Sequence, residues 1–263
     1  MSAINAPRVS RNLARIYALE AKTELLKLLR LPMYILPTLL FPLMFYLLFG
    51  VAFRRPGSGP FDMATYLVAS YGAFGVMNAA LFGFGVGVAV ERGQGWMLFK
   101  RATPMPALSW LVGKLVACFL SGLLMITLLF TVAATVGGVQ LPLLQWLSLA
   151  GVLAVGTIPF AAFGLAVGSW VGPNSAPAII NLLVLPMSFA SGMWFPIQMM
   201  PGIIKKIAQF LPAYHYAQLA LGQVGLSRGG PVLRSVVVLS VFTLLSFALA
   251  RLGDRRDEGK TFG

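Results

Sequence analysis

Few side chains in this 263-residue chain are of kinds that do chemistry: one histidine, His215, one cysteine, Cys118, and seven acidic residues. Ser191-Gly192 together with His215 invites comparison with an intramembrane serine protease. The G-x-S-G form would need glycine where Phe189 stands, however, and the separation to His215 is short. His215 lies in Ala213-Tyr214-His215-Tyr216, a cluster expected to anchor at a membrane interface rather than to act as a base. Asp62 and Glu91 with that histidine are too few ligands for a metal centre, and a single thiol builds neither an intrachain disulfide nor a cysteine cluster. Gly259-Lys260-Thr261 imitates the end of a phosphate-binding loop. The G-x-x-x-x-G-K-[ST] pattern requires glycine at position 254, which is aspartate, and Gly253 is one residue too far. Neither catalysis nor a cofactor site of its own is thus expected of this chain.

The elements that position these residues are set by a bilayer. Hydrophobic residues make up 58% of the chain and charged residues 10%, with a mean hydropathy of +0.84; a water-facing domain carries about 25% charge. Between Lys114 and Lys205 lie 90 residues without a charge, where one hydrocarbon span needs about 20. Spans are expected at 31–53, 62–90, 108–136, 144–171, 175–195 and 232–250. Breakers separate them at Pro56-Gly57-Ser58-Gly59-Pro60, Gly137-Gly138 and Gly172-Pro173. The 62–90 span is rich in glycine, with Gly83 and Gly87 in small-xxx-small spacing. Residues 196–230 remain apolar but are interrupted by Pro196, Pro201, Lys205, Lys206 and Pro212, which suits a re-entrant hairpin better than a full span. Residues 1–30 place Leu13, Tyr17, Ala21, Leu25 and Leu28 on one side among six cations, the pattern of an amphipathic interfacial helix. A cleaved signal peptide is the rival reading, but its basic region would be too long and no A-x-A site follows.

The net charge of +13 would point to nucleic acid in a soluble protein; here it reports topology, and no nucleic-acid partner is expected. All but six of the 20 basic residues fall in the N-terminal segment, in the loop after the second span with Lys114, or in the C-terminal tail. The exceptions are Arg54, Arg55, Lys205, Lys206, Arg228 and Arg234. Both termini are therefore expected to be cytoplasmic.

The loop at 91–106 begins Glu91-Arg92-Gly93, carries Trp96, Met97, Leu98 and Phe99 among charges, and ends Arg101-Ala102-Thr103-Pro104. After the fifth span come Ser191-Gly192-Met193-Trp194-Phe195-Pro196, Met200-Pro201 and Leu211-Pro212-Ala213-Tyr214. In these two motifs, in their order, and in span number the chain resembles the ABC-2-type permeases, the membrane subunits of ATP-driven exporters.

That resemblance implies an all-α fold with three parts: an interfacial helix at 1–30, a six-span domain at 31–251 and a charged cytoplasmic tail at 252–263. The domain would contain a coupling loop at 91–106 and an outer re-entrant hairpin at 196–230. It implies a homodimer in a bacterial inner membrane, in contact with membrane lipids and with a separate ATPase subunit that binds the ATP and Mg. The coupling loop would seat on that ATPase through Glu91, Arg92, Gly93, Trp96, Phe99 and Arg101, with Thr103 and Pro104 shaping it. The N-terminal helix near Arg15–Arg30 would be a second contact. Spans one, two and five would line the substrate path, with Phe41, Phe45, Tyr46, Asn78, Asn181, Met187 and Phe189 as candidates. No acidic residue lies deep in a span, which disfavours ion coupling. The cargo expected is amphipathic or lipid-linked, with a hydrophobic drug preferred. A polysaccharide or glycolipid exporter is the alternative, and a passive channel, scramblase or intramembrane enzyme belongs to other classes.

Overall fold

The computed structural model describes residues 13–31, 34, 36–52, 63–96 and 106–258, and these are all-helical or connecting, without strands. Helix α1 is Leu13–Leu29. A first apolar segment follows, in which a short helix, α2 (Phe41–Phe45), is flanked by π-helical turns at Leu36–Leu40 and Tyr46–Ala52. Next come α3 (Met63–Leu81), a π turn (Phe82–Val86), α4 (Gly87–Gly93) and α5 (Ala107–Thr135). The chain continues through α6 (Leu143–Val155), α7 (Thr157–Trp170) and α8 (Ala176–Ala190). The last elements are a 3-10 turn (Ile197–Met199), α9 (Gly202–Ala208), α10 (Pro212–Gln223) and α11 (Val232–Glu258).

Among the described residues, four helical stretches are long and apolar enough to cross a membrane: Met63–Gly93, Leu108–Thr135, Leu143–Trp170 and Val232–Asp254. The segments expected as spans one and five form shorter apolar helices, Thr38–Ala52 and Ala176–Ala190. Length and composition thus identify four of the six expected spans. The fifteen-residue α8 rises roughly 22 Å at 1.5 Å per residue, short of a hydrocarbon core of about 30 Å.

The centre of the fold is α3, almost every residue of which is buried. No apolar stripe distinguishes one side of it, as expected of a helix enclosed by other helices rather than facing lipid. Small residues permit this enclosure. A Cβ on Gly164 of α7 would lie 3.1 Å from the Gly85 nitrogen and 3.2 Å from the Ala80 carbonyl oxygen. One on Gly168 would lie 2.7 Å from the Gly85 oxygen. Gly164 and Gly168 are four residues apart, so one face of α7 lies directly against the π turn of span two. The expected Gly83/Gly87 pair works differently: a Cβ on Gly83 would collide with the Cys118 sulfur of α5, and one on Gly87 would stand 3.2 Å from the Lys114 ammonium.

The fourth span is continuous in the hydropathy pattern but divided at Gly156, where Tyr216 of α10 packs against the glycine and donates a hydrogen bond to the Leu153 carbonyl at 2.7 Å. That carbonyl belongs to the last turn of α6, so the tyrosine supplies a side-chain donor where the helix is interrupted. His215, expected as an interfacial anchor, is fully buried. Its Nδ1 lies 3.1 Å from the Ser235 hydroxyl and its Nε2 2.9 Å from the Gln209 carbonyl, which joins α10 to the end of α9 and the start of α11. The final helix continues past Arg251 to Glu258, so most of the segment expected as a tail is helical.

Candidate functional site

A cluster of charged residues lies where α1, α4 and α5 meet. Glu24 and Lys27 come from α1, Glu91 from α4, and Lys114 from the second turn of α5. Lys114 Nζ donates to Glu24 Oε2 at 2.7 Å and to Glu91 Oε1 at 3.2 Å. Lys27 Nζ donates to Glu24 Oε1 at 2.8 Å and to the same Glu91 oxygen at 3.3 Å. The remaining Glu91 oxygen accepts from Trp110 Nε1 at 2.7 Å. Among the described residues, two carboxylates and two ammonium groups therefore alternate around a ring, and every carboxylate oxygen has a donor.

Only Lys27 faces solvent appreciably, at 34% side-chain exposure, against 1%, 2% and 9% for Glu24, Lys114 and Glu91. Burial by itself would raise the Glu24 pKa. The charge and hydrogen bond of Lys114, joined by those of Lys27, override it and hold the carboxyl well below its ordinary range. Burial acts on Lys27 in the opposite sense, but its hydrogen bond to Glu24 and the charges of Glu91 and Glu24 raise it above an ordinary lysine. Burial of charge is tolerated at such a site because each charged side chain is paired and hydrogen-bonded.

Glu91-Arg92-Gly93 contacts three different elements in three consecutive positions. Glu91 joins α1 and α5 through the ring. The Arg92 guanidinium donates to the Gly168 carbonyl at 2.6 Å, in the last turn of α7, where free carbonyls and the helix dipole favour a cation. Gly93 lies so close to the turn after α7 that a Cβ would stand 2.5 Å from Pro173 Cγ. Past them, Trp96 is 47% exposed, and Lys27 Nζ sits 5.1 Å from its ring centre. The loop thus leaves a surface already fixed to spans three and four, while its aromatic residue faces outward. Phe99, Arg101, Thr103 and Pro104 lie outside the described residues, as do residues 1–12 of the N-terminal segment.

Helix α1 packs its expected face only in part: Leu28 is buried and Tyr17, Ala21 and Leu25 are half-buried, while Leu13 is exposed. The same side carries Glu20 and Glu24 against α5, where a Cβ on Gly113 would lie 3.1 Å from the Glu20 backbone carbon. Glu24, Trp110 and Lys114 were not among the expected site residues. Their signal was present in Lys114, a lone cation two turns into an otherwise uncharged span, which requires a buried acid in a chain with few to offer.

The expected path residues separate into two groups. Tyr46 and Asn78 are buried inside the chain; the Asn78 amide donates to the Phe74 carbonyl one turn back at 2.8 Å. Phe45 and Met187 are half-buried, the former 4.7 Å centre to centre from Trp194. Phe41, Asn181 and Phe189 lie on the surface. The aromatic residues nonetheless adjoin one another: Phe41, Phe45 and Phe49 follow at 6.2 and 6.1 Å, Phe49 meets Phe195, and Phe195 meets Phe189.

Comparison with known proteins agrees with this architecture. The chain is 28% identical over 236 residues to a Bacillus subtilis (strain 168) protein named "Putative transport permease YvfS", an alignment that covers 89% of this chain and 95% of the relative. The family model described as ABC-2 family transporter protein matches residues 55–252, from the end of span one through the last span. That match takes in the glycine-rich helix, the Glu91-Arg92-Gly93 junction and residues 196–230, and so the chain belongs to the ABC-2 family of transporter proteins.

Proposed function

We propose that this chain is the permease half of an ATP-driven exporter: six membrane passes, both termini cytoplasmic, paired with a second copy in a bacterial inner membrane and powered by a separate ATPase subunit. The observation that supports the coupling end is the four-charge ring with its neighbour Arg92. It joins α1, the loop start, span three and span four into one body. A push on the loop from an ATPase would then move several spans together. Trp96, and beyond it Phe99 and Arg101, would contact the ATPase, with Thr103 and Pro104 shaping the segment. Glu91 and Arg92 would act by holding it in place, since both are engaged within the chain. ATP and Mg would be bound by the ATPase alone.

The cargo would be amphipathic or lipid-linked, with a hydrophobic drug preferred, passing along the face where two copies meet. Exposed Phe41, Asn181 and Phe189 are the candidates to touch it, backed by Phe45, Tyr46, Asn78 and Met187. The row of Phe41, Phe45 and Phe49 also suits stacking against sugar rings, which keeps a polysaccharide or glycolipid exporter as the second reading.

The test is a reconstituted complex of permease and ATPase subunit. Trp96→Ala is expected to lower transport-linked ATPase stimulation while membrane insertion is unchanged; full stimulation would remove Trp96 from the contact. Cysteine labelling at Gly95 from the cytoplasm alone and at Gly229 from outside alone would establish the orientation, and the reverse pattern would overturn it. The compounds that alter ATP turnover in that complex would separate drug from glycan.

A further inference from the structure

The short helix α9, which the coupling reading does not use, has three distinct sides. Ile204 and Ala208, with Leu211 just beyond, face a satellite core built with Ile197, Met200 and Tyr214. Ile203 and Ile207 lie on a second side, continued by Phe210 in the turn just past the helix, and the three are 74%, 50% and 83% exposed. Lys205 and Lys206 occupy the third, followed by Gln209 at the C-cap, all exposed. The guanidinium of Arg234, at the start of α11, reaches the Gln209 side chain at 3.5 Å. This placement is built rather than incidental. Fully buried His215 engages the Gln209 carbonyl on one nitrogen and Ser235, the neighbour of Arg234, on the other. Three cations are thereby gathered on one side of α9, next to a bare apolar strip. From residue 92 to residue 253 the chain contains no acidic residue at all, and among the described residues no carboxylate pairs with these three cations.

These cations also depart from the positive-inside distribution of the rest of the chain, so topology does not account for them. Exposed isoleucine and phenylalanine side by side with lysine and arginine is the pattern of a helix lying in a membrane interface. A cationic cluster beside it attracts an anionic headgroup. We propose that α9 is a docking site for an anionic phospholipid: Ile203, Ile207 and Phe210 enter its acyl region while Lys205, Lys206 and Arg234 hold its phosphate. The proposal rests on the six-span reading only in placing the hairpin at the membrane face opposite the four-charge ring.

The test uses the full chain in nanodiscs of phosphatidylcholine with a minor share of phosphatidylglycerol. Phosphatidylglycerol retained on the protein after mild extraction is counted by native mass spectrometry. Enrichment over the disc composition is expected, falling about 25-fold in Lys205→Gln with Lys206→Gln, at roughly fivefold per cation, and persisting in Lys205→Arg with Lys206→Arg. A nitroxide on Ile207→Cys is expected to be relaxed by oxygen and shielded from an aqueous nickel chelate; Cys118 is buried and leaves the label at one site. Equal retention of both lipids, or a nickel-accessible label, would overturn the proposal. So would spin–spin broadening from a second copy, or displacement of the lipid by inorganic phosphate alone. Labelling at Gly229 reports orientation independently, so a failure of the topology is distinguishable from a failure of the lipid site.

Discussion

Replacing Lys114 by alanine would remove the cation that both buried carboxylates share. Glu24 would keep Lys27, which is one-third exposed, and Glu91 would keep Lys27 at 3.3 Å and Trp110. Removing one partner of a buried ion pair costs roughly 3–5 kcal/mol, because the charge left behind loses compensation, and here both carboxylates would have to share the one-third-exposed Lys27. Here that cost falls on the docking of α1 against α5. A loss of this size multiplies the population of an undocked α1 by between about one hundred and a few thousand. The native Cys118 reports it without a further mutation. It is fully buried, and a Cβ on Gly83 would meet the Cys118 sulfur, Leu28 of α1 and Tyr34 together, so the thiol lies under the α1 contact. The assay is the rate of Cys118 modification by a small methanethiosulfonate in nanodiscs. Lys114→Ala is expected to raise it about 100-fold or more. Lys114→Met with Glu24→Gln is expected to restore most of the protection, since neutralising both partners of a buried pair costs little. A Lys114→Ala rate within twofold of wild type would refute the claim that the ring holds α1. So would a double variant no slower than the single one.

Three further outcomes follow from the same geometry. Because the Glu24 pKa is lowered in the folded chain, its stabilisation is fully present above the ordinary carboxylate range and lost as the pH falls through that range toward the lowered value. Cys118 protection should be level from neutral pH down to about 5 and decline in more acidic buffer; a decline centred near neutrality would contradict the assignment. Gly164→Ala introduces a Cβ 3.1 Å from backbone nitrogen and is expected to destabilise by about 1–3 kcal/mol. Gly151→Ala, where a Cβ meets nothing within 4 Å, should leave the thermal melt of the purified protein unchanged or slightly raised. Tyr216→Phe removes the donor to the Leu153 carbonyl at the Gly156 break. A loss of about 1–3 kcal/mol is expected, seen as a lower melting temperature and faster hydrogen exchange near Gly156.

The extent to which the sequence foretold this arrangement varies with the kind of force involved. Spans two, three, four and six were readable because hydrocarbon acts on each segment separately: about 20 apolar residues suffice, whatever the neighbours do. Glu91-Arg92-Gly93 stood out because the residues are charged in an uncharged setting, yet what they contact was not readable. Glu91 was expected to face a partner, and within the chain its carboxylate accepts from Lys27, Lys114 and Trp110. A salt-bridge partner 90 residues away in sequence, as Glu24 is from Lys114, leaves no periodic trace.

The break at Gly156 and the burial of His215 are of the same kind, each depending on a side chain supplied by another helix. So is the glycine pairing: the spacing of Gly83 and Gly87 suggested a helix crossing, but Gly164 and Gly168 make the backbone contact with Gly85. The sequence by itself determined that this protein lives in a bilayer, where its long spans run, and that its charges collect at their ends. Hydropathy is summed along the chain and needs no fold to be read. Only the tertiary structure decided which charges meet, which glycines touch and which face of α9 is left uncovered, because those are settled by the packing of helices distant in sequence.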